Sequence, residues 1–424
     1  MFDIYKTFGI SKNTVALCER AETDAEQFFA KLDEVAAYNQ AKVLAAFRNN
    51  RVSEIHFTET SGYGYDDVGR DTLERVYAEV FGCEDALVRH SILSGTHALT
   101  LALFGVMRPN CTLLSATGKP YDTLDEVIGL CGEEGNGSLK EWGVNYKQVE
   151  LLEDGSLDLD RICDEVKHDA SITAVFFQRS KGYAWRKTLS VDEIGTAIAR
   201  IKEANPRVSC IVDNCYGEFV EKQEPTDVGA DLIVGSLIKN PGGGISLTGG
   251  YIAGRSDLVS KVAQRFTAPG VGKEIGSTPG LKRQMYQGFF MAPHIVSQAL
   301  KAAVLSASLF GKLGYDVIPS YDDSRSCIIQ AIRLESRERL SAFCEAIQGG
   351  SPVDSFVAPT PWAMPGYQDE VIMAAGAFVQ GASIELSADA PVKPPFTVYM
   401  QGGLTYESAK LALMMAAEKV GAKE

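Results

Sequence analysis

The sequence predicts an α/β fold: a large domain on a mainly parallel sheet of the seven-stranded type, followed by a smaller C-terminal α/β domain. Three observations predict it. Short apolar runs alternate with helical patterns from Ala86 to Ala253. Most of those runs are continuously apolar, as strands buried on both faces are. The polar residues suited to chemistry cluster where these strands end, at the edge where open α/β sheets bind ligands.

Taken in order, Asp24 to Asn49 carries Phe28, Phe29, Leu32, Val35, Val43, Leu44 and Phe47 at helical spacing. An N-terminal helix is expected there, with an arm through Ser53–Thr60. TSGYGYDDVGRD reads as a loop, and Thr72–Phe81 as a helix. Strands follow at 86–89, 112–115, 146–152, 172–178, 209–213, 232–236 and 246–253. Helices between them fall at 96–107, 123–130, 157–166 and 191–204. Residues 275–309 form a long helical stretch leading into the second domain. A strand at 327–335 and helices at 337–346 and 407–420 complete it. The expected boundaries are 1–60 for the N-terminal helix and arm, 61–285 for the large domain and 286–424 for the small one.

Composition narrows the function. The chain has 424 residues and a net charge of −14, which argues against a duplex nucleic-acid binder and an anionic membrane partner. No run reaches the ~18 apolar residues of a membrane span. MFDIYKTFGI has neither a basic nor an apolar segment of a signal peptide, so none is expected. Nine Cys, an odd count, read as free thiols in the cytoplasm. The five His show no metal spacing, and no structural zinc is expected. No GxSxG, GxGxxG or P-loop pattern is present.

Three motifs carry chemistry. Ser94-Gly95-Thr96 stands between a strand and a helix. A helix N-terminus offers free N–H groups, and glycine lets the backbone approach an anion, so this is a candidate phosphate cradle. Alone it reads equally as a Ser/Thr cap. Asp213 ends the strand Ser209–Asp213, where a carboxylate calls for a cationic partner such as a protonated pyridine nitrogen. Alone it could cap the next turn. Lys239 follows the strand Leu232–Ser236 and enters Pro241-Gly242-Gly243-Gly244. A desolvated lysine has a depressed pKa and can form a Schiff base; a solvated surface lysine is the plain alternative. Together the three are the anchors of pyridoxal 5'-phosphate.

At these residues the chain resembles the cysteine/methionine-metabolism branch of fold-type I pyridoxal-phosphate enzymes, which have an aminotransferase-like fold. The similar segments are GRDTLERVYAEVFGCEDALVRHSILSGTHAL, VDNCYGEF and SLIKN. GYGYDDVGRDTLE, YDTLDEVIG, FFQRSKGYAWR and QGGLTYE are similar to a subgroup known as aluminium-resistance or methionine γ-lyase-like proteins. The resemblance runs from about residue 55 to the end. It implies a Schiff base on Lys239, which would also move the α-proton. It implies Asp213 on the pyridine nitrogen and Tyr121 stacked on the ring, assisting proton transfer. Gly95 and Thr96, with Ser94 and Ser236, would hold the phosphate, and Tyr216 would lie near the ring hydroxyl. Tyr65 and Arg70 would reach a neighbouring subunit's phosphate in a homodimer or homotetramer with shared sites. The implied activity is carbon–sulfur lysis of a small sulfur-containing amino acid, of the cystathionine β-lyase or methionine γ-lyase kind.

Three departures bear on that reading. Ile238 stands where the branch has Thr, removing one phosphate donor. PGGG replaces GHSD-like residues. Tyr399-Met400-Gln401-Gly402-Gly403 lacks the arginine that clamps the substrate carboxylate, a role for which a bidentate guanidinium is suited. Arg179, Lys181 and Arg325 are the candidates to replace it, each otherwise a surface charge. An aldolase, racemase or transaminase reaction on the same cofactor stays open, as does a non-catalytic metal-tolerance protein retaining the fold.

Overall fold

The computed structural model describes residues 2–364 and 369–423. Its large sheet has seven strands: β1 Asp85–Arg89, β2 Thr112–Ser115, β3 Asn145–Gln148, β4 Ile172–Gln178, β5 Ser209–Asp213, β6 Leu232–Ser236 and β7 Gly250–Gly254. Their spatial order is β1-β7-β6-β5-β4-β2-β3. β6, β5, β4, β2 and β3 run parallel, while β7 is antiparallel to both of its neighbours. β4, β5 and β6 are buried almost throughout, because helices cover both faces of a parallel sheet. The mainly parallel expectation holds, and 250–254 is the strand that reverses.

The small domain carries a five-stranded sheet: β8 Val317–Ile318, β9 Gln330–Arg333, β10 Val371–Ala374, β11 Ser387–Pro391 and β12 Thr397–Gln401, in the order β10-β11-β12-β9-β8. Every pairing in it is antiparallel. On β11 the side chains alternate. Ala388 and Ala390 enter the small-domain core, which leaves Ser387 and Asp389 on the opposite face.

Two long helices join the halves. Lys12–Asn49 starts earlier than the periodicity indicates, because the Ser11 side chain caps it by accepting from Thr14 N–H. It packs along the helix Lys282–Lys312. That second helix is long and apolar enough to cross a membrane by length and composition, yet most of it is buried inside the protein. Phe289 and Val296 pack in the large-domain core, and Leu305 and Phe310 in the small-domain core. The expected boundary at 285/286 therefore falls inside one continuous helix. A further helix, Ser256–Phe266, was not anticipated. Its amphipathic face packs Leu258, Val259, Val262 and Ala263 on the sheet core.

Candidate active site

The carboxyl ends of β5 and β6 and the N-terminus of the helix Gly95–Val106 open onto one cavity. Ser94, Gly95, Thr96, Tyr121, Asp213, Tyr216, Ser236 and Lys239 all line it, as do Ser387, Asp389 and Gln401 from the small domain. The strands fix these positions. Asp213 is the last residue of β5, paired with Val234 of β6 and Gln178 of β4. Lys239 stands three residues past Ser236, in a turn whose amide donates back to the Ser236 carbonyl.

That turn explains PGGG. Gly243 has φ +55°, a left-handed backbone that suits glycine. A β-carbon on Gly242 would lie 1.6 Å from the Leu237 carbonyl oxygen, and one on Gly243 would lie 2.5 Å from that of Gly288. The turn is thus pressed against the helix Lys282–Lys312 backbone to backbone, and Lys239 inherits that rigidity.

At the helix N-terminus the Ser94 hydroxyl accepts from His97 N–H at 3.0 Å. The Gly95 and Thr96 amides make no hydrogen bond among the described residues. They are free donors at the positive end of the helix dipole. A β-carbon on Gly95 would come within 3.2 Å of the Cys215 sulfur, so a side chain on this edge would be tightly packed. Thr96 shares its hydroxyl with Thr123 at 2.9 Å. The Ser236 hydroxyl accepts from Ile238 N–H at 3.4 Å.

Charge at the centre is shared between Lys239 and its acidic surroundings. The Lys239 ammonium lies 4.1 Å from the Tyr216 ring centroid. Burial works against that ammonium, but Cys215, Tyr216 and Asp213 outweigh it and hold its pKa above the ordinary lysine value. The expected depression of the amine is corrected by these neighbours, which burial alone did not count. Burial pushes the Asp213 carboxyl up, while Lys239 and the Cys215 amide at 3.1 Å pull it back. Tyr216 has φ +71° and accepts from the Ser383 hydroxyl at 3.2 Å. Its strained backbone is set between Asp213 and the small domain. The Tyr121 amide is fixed to Gln178 Oε1 at 2.6 Å.

Other expected residues lie elsewhere. Arg70 is buried and donates to the carbonyls of Gly64 and Gly276 within its own chain. Tyr65 is exposed beside Tyr63. Neither lines the cavity. Arg179 is locked beneath the site, donating to Asn214 at 2.7 Å and Glu221 at 2.8 Å. Arg325 is buried against Gln330 at 2.7 Å. The candidacy of these two as carboxylate clamps is corrected by their position: neither lines the cavity. Lys181 lines an adjoining cavity with Tyr121 and donates to the Ile318 carbonyl at 2.8 Å; burial pushes its amine down to about 8.

Sequence reasoning missed Asp389, Gln401, Ser383 and Ser387, all at the cavity. Asp389 accepts from Gln401 at 2.8 Å and Tyr183 at 3.2 Å. Burial pushes its carboxyl up to about 6. The available signal was the alternation Ser387-Ala388-Asp389-Ala390, a half-buried strand pattern.

An α/β enzyme with an amine, a carboxylate and an anion cradle at one sheet edge is the class that this arrangement defines. The chain belongs to the methionine gamma-lyase family, whose model matches residues 14–421; it is an enzyme of the carbon–sulfur lyase type. It is 48% identical to the uncharacterized protein YnbB of Bacillus subtilis, over the full length of both chains. A Clostridium novyi crystal structure, described as a carbon-sulfur lyase involved in aluminium resistance, is 51% identical. It superposes with a TM-score of 0.95 over 99% of this chain and 98% of that one. The pyridoxal-5'-phosphate dependent protein YhfS of Escherichia coli shares the fold at 15% identity and a TM-score of 0.60, over 90% of this chain and 95% of that one.

Proposed function

We propose that the chain is a pyridoxal-phosphate-dependent lyase that cleaves a carbon–sulfur bond in a sulfur-containing amino acid, of the cystathionine β-lyase or methionine γ-lyase kind. The observation that carries this reading is the convergence of Lys239, Asp213 and the free amides of Gly95 and Thr96 on one cavity. The residues fit the cofactor. The two amides, with Ser94 and Ser236, suit its phosphate; Asp213 suits a protonated ring nitrogen; Lys239 suits its aldehyde; Tyr121 and Tyr216 suit its ring face and hydroxyl. When bound, pyridoxal phosphate supplies an electron sink for charge at the substrate α-carbon.

The chain's own groups do the rest. Lys239 Nζ takes and returns the α-proton, and its rigid turn keeps that path short. Any cation that occupies Asp213 also removes part of the potential that holds the Lys239 proton, so cofactor seating and amine activation are linked. Tyr121, anchored through Gln178, closes one side and assists proton transfer. Tyr65, on the exposed loop before the helix Val68–Val80, reaches a second copy in a homodimer or homotetramer, and Arg70 supports that loop. The chain divides as 1–60, 61–285 and 286–424, the last two joined through the shared helix Lys282–Lys312, with the site between them. The cysteines seen are free, which supports a reducing compartment such as the cytoplasm.

The test is a visible absorption spectrum of the purified protein supplied with pyridoxal phosphate, with thiol and keto-acid assays across a panel of thioether amino acids. A band that one of them shifts, with both products released, supports the reading. A band with no thiol from any thioether rejects lysis, and no band rejects the cofactor.

A further inference from the structure

Behind the large-domain wall lies a buried acid for which the reading above has no use. Glu218 is 0% exposed and sits on the loop that follows Asp213. Its backbone carbonyl accepts from the side chain of Asn240, the neighbour of Lys239, at 3.0 Å. Its Oε1 accepts from the Tyr251 hydroxyl on β7 at 2.9 Å. Its Oε2 is buried and has no partner among the described residues. Gly235 makes the room for it: a β-carbon there would lie 2.5 Å from Glu218 Oε1. The carboxyl is therefore pressed against β6 just before the Lys239 turn.

The groups facing Glu218 are Tyr77 from the helix Val68–Val80, Tyr251 from β7, Cys215 and Glu224 from its own loop, and Lys239. Glu224 has a cation of its own, Arg179 at 3.6 Å, and the Asn214 amide at 2.9 Å. Glu218 has only the more distant charge of Lys239 to favour its ionised form, while burial and then Glu224 push its carboxyl up to about 8. Lys239 is faced in turn by Cys215, Tyr216, Asp213 and Asp389. An interaction between two charges is reciprocal. If the Lys239 ammonium favours ionised Glu218, then ionised Glu218 favours the ammonium. Burial of the acid leaves little water to screen the pair.

We propose that Glu218 is a positioning residue for Lys239: from behind β6, the charge state of its carboxyl sets how tightly the Lys239 nitrogen holds its proton. Protonated, Glu218 is a neutral filler and leaves the amine free to give up its proton. Ionised, it adds an anion and holds that proton in place. The coupling stands on the chain alone; its use in moving the α-proton rests on the lyase reading.

The test uses the full chain dialysed free of pyridoxal phosphate. Acetic anhydride labels only an uncharged amine. Mass spectrometry of the Lys239 peptide, normalised to a free amine in the same solution, follows labelling from about pH 7 to about pH 10. Asp389, raised only to about 6 by burial, stays ionised over most of that range. In the unaltered protein labelling should rise with pH, flatten around pH 8 as Glu218 ionises, and rise again. Glu218→Gln should match it at the low end and label at least about threefold faster at the high end. A ratio that stays constant with pH reports only an altered pocket and overturns the proposal. A profile of the unaltered protein with no flat stretch overturns it without any variant. Tyr251→Phe keeps Glu218 and removes its donor, so the flat stretch should move to higher pH; an unmoved stretch also overturns the proposal. The visible spectrum with pyridoxal phosphate is read separately. A flat stretch that Glu218→Gln removes, with no visible band, keeps the coupling and rejects the cofactor. A band and thiol release with a constant ratio do the reverse.

Discussion

The two walls of the cavity come from different sheets and carry their charge differently. On the large-domain wall, Lys239 and Asp213 stand at the ends of parallel strands and compensate each other. On the small-domain wall, Asp389 and Gln401 stand on antiparallel strands, and the carboxylate has only neutral donors. A strand end in a parallel sheet offers a backbone turn and a helix N-terminus, which suit a phosphate-bearing cofactor shared by many reactions. A sheet face offers only side chains, which can vary without disturbing the backbone. The difference assigns cofactor retention to the first wall and choice of substrate to the second.

Substitutions at the large-domain wall should then strike the cofactor, whatever the substrate. Lys239→Ala is expected to have the largest effect, a loss of turnover of at least about 10³-fold, with loss of any band that borohydride reduction removes. Turnover within tenfold of the original would break the comparison at its strongest point. Asp213→Asn removes the carboxylate that suits a ring nitrogen. A fall of about 10²-fold in turnover is expected, equal for charged and uncharged substrates. A fall confined to one substrate class would mean that Asp213 shares the work of the second wall.

Gly95→Ala probes the cradle with a smaller effect. The added methyl would sit 3.2 Å from the Cys215 sulfur, so that side chain, the backbone or the anion must give by a few tenths of an ångström. About tenfold weaker retention of pyridoxal phosphate is expected, read by titrating the apoenzyme. Unchanged retention would place the phosphate elsewhere.

The two walls also differed in how far the sequence revealed them. Ser94-Gly95-Thr96, Asp213 and Lys239 sit in local motifs, where a strand ends and a polar residue follows at once. Continuous apolar strands made the parallel sheet legible for the same reason. Asp389 is legible only once β11 is paired with β12, since register decides which alternate residues face the cavity. Strand β11 contains Ser, Ala and Asp in place of branched residues, and so gives a weak strand signal. Arg179 and Arg325 show the converse. Their types suit a carboxylate clamp, but only packing reveals that they are buried off the cavity, against Asn214, Glu221 and Gln330. The depressed amine expected at Lys239 failed because the opposing charge comes from residues 215, 216 and 213, on another strand end.

A last prediction sets one buried carboxyl behind the first wall against the one in the second. Glu218 lies beneath β6, accepting from the Tyr251 hydroxyl at 2.9 Å, while its Oε2 has no partner among the described residues. Burial, with the charge of Glu224 adding to it, pushes its carboxyl up to about 8. Asp389 rises only to about 6, because Tyr183, Gln401 and Lys239 offset its burial. A carboxyl raised on folding holds its proton in the folded state after the unfolded chain has lost it. Its contribution to stability is therefore complete at low pH and declines as pH rises toward the folded value. For Glu218 that decline runs from the ordinary glutamate value of 4.5 to about 8. Glu218→Gln removes the titration and keeps the shape. Its stability relative to the unaltered protein, read by denaturant unfolding, should rise steadily between pH 5 and pH 8 and then level off, by up to about 5 kcal/mol in all. Asp389→Asn should show the same trend, levelling off near pH 6. Coincident profiles for the two variants would mean that the two carboxyls are held alike, and that Tyr183, Gln401 and Lys239 do not offset the burial of Asp389.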